Sequence, residues 1–127
     1  MTITDDRAAL VKALQETDWG IPIKVLGYVP NSPAPNICYL EMQNITAGHV
    51  FGTLEITWNI TFLCAAVKQV SSTPEKVLDT IAATAIERLC GEYADLENID
   101  SYRYIYDATN GASYPAVVIT VKSQTRI

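Results

Sequence analysis

Apolar and polar residues alternate strictly from Leu54 to Cys64. Leu54, Ile56, Trp58, Ile60, Phe62 and Cys64 therefore share one side of an extended strand, and Glu55, Thr57, Asn59 and Thr61 the other. A period of two with one polar side predicts an antiparallel sheet covered on a single face, the other face meeting water or another chain. The strand is expected to run over 54–67. Upstream, residues 21–29 read as a first strand, broken by Pro30-Asn31-Ser32-Pro33-Ala34-Pro35-Asn36 because proline donates nothing to a ladder. Residues 37–42 read as a second strand that sets Cys38, Leu40 and Met42 against Ile37, Tyr39 and Glu41. Residues 43–53, with Gly48 and Gly52, are expected to form a loop longer than a hairpin needs, and such loops often carry function.

Two helical patterns flank these strands. Thr2 or Thr4 can cap a first helix whose opening turn holds Asp5 and Asp6, where the helix dipole favours negative charge, and Gly20 can end it. Its apolar stripe is Ile3, Leu10, Val11 and Leu14, with Lys12, Gln15 and Glu16 facing solvent. The second helix opens at Thr73, with Pro74 in the first helical position and Ser72 with Glu75 as an alternative capping box, and runs to Cys90 before Gly91. Val77, Leu78, Ile81, Ala82, Ala85, Ile86 and Leu89 mark it as the core helix, with the Ala82–Ala85 segment expected against Trp58. Glu92 to Asp100 then reads as an acidic loop. Residues 101–107 open a hairpin turned at Asn110-Gly111 and closed by 114–122. Tyr102, Tyr104 and Tyr106 share one side of its first strand, either covering the helix or facing a partner. The whole chain, 1–127, is thus predicted to be a single α+β domain: an antiparallel β-sheet with two helices packed on one face, in the order α-β-β-β-α-β-β.

Composition changes this picture in one respect. The chain is 49% hydrophobic and only 18% charged, against about 25% charged in ordinary soluble domains, so part of the apolar surplus is expected at an oligomer interface. Nine basic and fourteen acidic side chains give a net charge of −5 with no Lys/Arg cluster, which excludes the electrostatic footprint of sequence-independent DNA binding. No basic segment followed by an apolar run opens the chain, and no stretch has the length of a membrane span, so a cytosolic protein without membrane contact is expected. Cys38, Cys64 and Cys90 are odd in number and fall on apolar faces, where thiols serve as small hydrophobes.

Chemistry-bearing clusters are absent from the sequence. His49 is the only histidine and has no ligand or relay partner at useful spacing. Gly48 to Gly52 lacks the lysine and following helix of a phosphate cradle. Glu92, Asp95, Glu97 and Asp100 fall in one segment with nothing to set two carboxyl groups apart. No catalytic residue, cofactor or metal is therefore expected, and the chain does not read as an enzyme. The loop 43–53 and the hairpin tip 107–113 are expected instead to dock partners, through His49, Phe51 and Asn110, with Phe51 as an apolar anchor.

The element order, the Thr73-Pro74-Glu75 start of an alanine-rich helix, and the strand Tyr114-Pro115-Ala116-Val117-Val118-Ile119-Thr120-Val121 together resemble the tail terminator (tail completion) proteins of long-tailed bacteriophages. The resemblance spans nearly the whole chain. It implies a virion structural protein of the tail, present in the host cytoplasm during assembly. Its subunits close into a ring, commonly a hexamer, that caps the tail tube protein and joins it to the head-side connector protein. DNA passes through such a ring without specific binding. Neck and head–tail connector proteins of phage share the pattern and stand as an alternative, as do a small α+β ligand-binding or enzymatic domain and an assembly adaptor outside phage.

Overall fold

The computed structural model describes residues 3–19, 23–31, 36–48, 51–64, 72–89, 95–107 and 112–126, with side chains described for all of these except 72–77, 95–107, 112–113 and 126. The elements are α1 (Ile3–Gln15), β1 (Lys24–Leu26), β2 (Ile37–Ala47), β3 (Thr53–Leu63), α2 (Ser72–Leu89), β4 (Asp95–Asp107) and β5 (Ala112–Arg126). Among the described residues the strands form one sheet in the order β1-β2-β3-β5-β4. The α+β order and the placement of both helices on one face are those expected from the sequence.

Registry explains the core. Rows such as Cys38–Phe62–Val117 and Leu40–Ile60–Ile119 cross the three central strands on the helix side. Ile56, Trp58, Ile60 and Phe62 of β3 are fully buried there. Leu10, Ala13 and Leu14 of α1 and Leu78, Ile81, Ala85 and Leu89 of α2, at three- and four-residue spacings, complete the same cluster. Cys38 and Cys64 are free and buried in it, and burial pushes both thiols up, away from the reactive thiolate form. Cys90 lies outside the described residues. Ile86, expected in the core, is instead 37% exposed.

β1 departs from expectation: it spans three residues and runs parallel to β2. A side chain from α1 stands where its ladder stops. Arg7 Nη1 donates to Gly27 O and, at 3.4 Å, to Leu40 O, so it occupies the carbonyl at which the next rung of the β1–β2 ladder would form. The same guanidinium lies 4.2 Å from the Tyr28 ring centroid and 4.9 Å from that of Trp58. Arg7, Leu10 and Leu14 share a helix face at i, i+3 and i+7, a signal that places the arginine on the buried stripe. Arg7→Ala is expected to cost about 2–3 kcal/mol by removing partly buried charge-assisted hydrogen bonds and cation–π contacts together, read as a lower urea midpoint. Arg7→Lys should recover little of it, since an ammonium lacks the planar fork.

Asp6, on the same helix, is only 6% exposed and its Oδ2 has no hydrogen-bond partner among the described residues. Burial raises its pKa above the ordinary 3.8, with Asp5 adding to the shift and the amino terminus opposing it. The folded state therefore holds this proton more tightly than the unfolded one, so stability is fullest below the unfolded pKa and declines as pH climbs through the folded value. Asp6→Asn removes that titration. The variant's thermal midpoint should gain on the wild type between about pH 3 and pH 7; a constant difference across that range contradicts the assignment.

α1 ends at Gln15, well before Gly20. Thr17 Oγ1 donates to Ala13 O at 2.7 Å and Trp19 Nε1 to Leu14 O at 3.0 Å, which satisfies terminal carbonyls that glycine was expected to release. Trp19 then packs on Phe62 with ring centroids 4.8 Å apart. At the other end of the chain, the segment expected to be an acidic loop is largely strand, since β4 begins at Asp95. Register shifts at Leu96/Asn98 and Asp100/Arg103 interrupt its alternation and hid it. The side chains of Tyr102, Tyr104 and Tyr106 lie outside what is described.

Candidate functional site

The expected loop 43–53 is mostly hairpin. β2 continues to Ala47, and Asn44–Ala47 pair with Thr57–Leu54 before a short turn in which Gly52 adopts φ 81°. Gly48 at the start of this turn has no room for a side chain, because a Cβ there would run into Thr53 Oγ1. Residues 41–47 are all exposed, in contrast to the buried first turns of the same strand. This half of β2 is thus the exposed edge of the sheet, while its hairpin partner β3 is flanked by β5 as far as Thr53↔Arg126. Met42 and Ile45 are 38% and 36% exposed on the helix side of that edge, and Phe51 at the hairpin tip is wholly exposed. His49, the second expected docking residue, lies outside the described residues. So does Asn110; Asp107 and Ala112, on either side of it in the chain, pair with each other.

The helix-free face of the sheet is the second component. Its polar residues were expected to meet water or a partner; the structure divides that face in two. At one end Ile37, Leu63, Tyr114 and Ala116 form a second buried cluster, with Leu26 and Tyr39 packed on it. At the other end the side chains bond one another in rows across the strands. Thr120 Oγ1 donates to Asn59 Oδ1 at 2.9 Å, Gln124 Nε2 donates to Glu55 Oε2 at 2.9 Å, and Lys122 Nζ stands 3.5 Å from Glu55 Oε1. Thr57 and Thr61 are correspondingly buried within the sheet surface, at 8% and 4% exposure. A cross-bonded polar lattice of this kind is rigid and hydrated on its outer side, suited to contact with a polar surface rather than to proton transfer.

Among the described residues no group of three His, Cys, Asp or Glu side chains could hold a metal ion, and no helix is long and apolar enough to cross a membrane. Sequence reasoning singled out Phe51, which is exposed, and did not bring Met42 and Ile45 together as a pair. The two are three residues apart, so regular alternation puts them on opposite sides; the extra residue at Gln43 brings both to the helix side. Compared with known proteins, the chain matches no family model and no curated protein sequence.

Proposed function

We propose that this chain is an assembly subunit of a bacteriophage virion, a tail terminator whose copies close into a ring, with six as the favoured number, that caps the tail tube and joins it to the head-side connector. One observation supports this reading above the others: a sheet with helices on one face only leaves Met42 and Ile45 exposed along the edge of β2 and Phe51 exposed at the adjoining hairpin tip. Apolar side chains exposed along a sheet edge and at a hairpin tip suit contact with another protein. Different patches meeting head to tail generate rings when the rotation closes. A net charge of −5 suits a channel wall over which DNA slides without being held.

The test is capping. Tubes polymerised from the tail tube protein in the presence of this chain should end in one extra ring at a single end, visible by negative-stain microscopy, and should stop growing. Tubes that stay bare and keep elongating at every ratio of the two proteins overturn the reading.

A further inference from the structure

Beyond Tyr39 the outer edge of β2 carries no strand among the described residues, since β1 pairs only with Ile37, Cys38 and Tyr39. Two hydrogen bonds fix which backbone groups look outward along it. Leu40 O accepts from Arg7 on the β1 side, so Leu40 is an outward position. Gly48 N–H donates inward to Thr53 O, so its neighbour Ala47 is outward as well. Leu40 and Ala47 are an odd number of residues apart, which plain alternation forbids. The shift from Met42↔Trp58 to Asn44↔Thr57 inserts Gln43 and restores the phase. Leu40, Met42, Ile45 and Ala47 are therefore the outward-bonding positions, and all four stand on the helix side, opposite Ile60, Trp58, Ile56 and Leu54.

This edge is complementary to itself. We propose that two copies of the chain pair antiparallel through residues 41–46 of β2 about a two-fold axis, each supplying the strand that the other's edge lacks. In that register Met42 of one copy faces Ile45 of the other, Ile45 faces Met42, and Glu41 faces Thr46, with Gln43 and Asn44 meeting at the axis. Strand pairing demands that facing residues share both a side of the sheet and a bonding phase. The Gln43 bulge makes Met42 and Ile45 meet both demands; an unbulged strand would fail at this register. Glu41 is the only charge between Leu40 and Ala47, and it faces a neutral threonine, so no like charges oppose. The strand also carries no lysine or proline to protect its edge. Pairing buries Met42 and Ile45 against each other.

A two-fold contact closes at two chains and uses a different symmetry operator from the head-to-tail ring contacts; where both act, it links one ring to another. Directly opposed residues have Cβ atoms roughly 4.5–5.5 Å apart, close to disulfide reach. The M42C/I45C double variant, mildly oxidised, should therefore give a covalent species of twice the 13.9 kDa chain mass, while M42C alone, I45C alone and the wild type cross-link far less. Ile45→Lys, with unchanged circular dichroism, should abolish the two-fold species. Double-variant cross-linking no stronger than that of either single variant, in a folded protein, overturns the pairing. So does protection of the Met42–Ile45 amides by another protein's extended segment in place of the second copy. A ring of unchanged mass with no cross-link removes the pairing and leaves the ring, whereas a cross-linked dimer that never enlarges sustains the pairing and removes the ring.

Discussion

Trp58→Ala should cost about 3–5 kcal/mol, a large part of the roughly 5–15 kcal/mol that holds an ordinary domain together. Trp58 is fully buried at the middle of β3, facing Met42 on one side and Val121 on the other, with the Arg7 guanidinium over its ring. Truncation opens a cavity between sheet and helices and removes the cation–π contact that orients Arg7. It also leaves Ser123 Oγ, 2.9 Å from the indole nitrogen, without its donor. Trp58→Phe separates these effects: most of the volume stays and only the hydrogen bond goes, at about 1 kcal/mol. Urea midpoints for both variants, with unchanged slopes, check the ordering. A midpoint that Trp58→Ala leaves in place would show that the faces of β3 have been assigned the wrong way round.

The second large effect concerns joining of tails to heads. The triple variant His49→Ala, Phe51→Ala, Asn110→Ala should fold as the wild type does yet lose most of its capacity to join tails to heads, with Phe51 the largest single contributor. An exposed aromatic ring at a hairpin tip adds nothing to the core, so its removal leaves the thermal midpoint in place. What it removes is an anchor for a partner. In a complementation assay the expected result is free heads and free tails accumulating side by side. Infectious particles at the wild-type yield, accompanied by loss of a small-molecule activity, would instead favour the enzymatic alternative.

Where the residue pattern carried one unbroken period, it specified the structure. β3 was legible because nothing interrupts its alternation, and the helix over 72–89 because its cap and apolar stripe agree. The second half of β2 was not, since one extra residue at Gln43 turns a period of two into apparent loop. Two shifts did the same for the acidic first half of β4. Arg7 shows a different limit. A charged residue on a helix reads as solvated until the carbonyls and rings that receive it, brought from Gly27, Leu40, Tyr28 and Trp58, are folded around it. Its place beside β1 is therefore tertiary, and no local pattern contains it. The candidate surface was half legible for the same reason: Phe51 stands out as an aromatic between turn residues, whereas Met42 and Ile45 become one patch only through the bulge.

Assembly into a ring is the claim on which the functional reading stands, and the mass of the particle in solution measures it most directly. Light scattering coupled to size exclusion should give six times the 13.9 kDa chain mass, or twice that again where two rings are coupled through β2, in either case a multiple that persists on dilution. A single chain mass at every concentration, unchanged when assembled tail tubes are added, would contradict it.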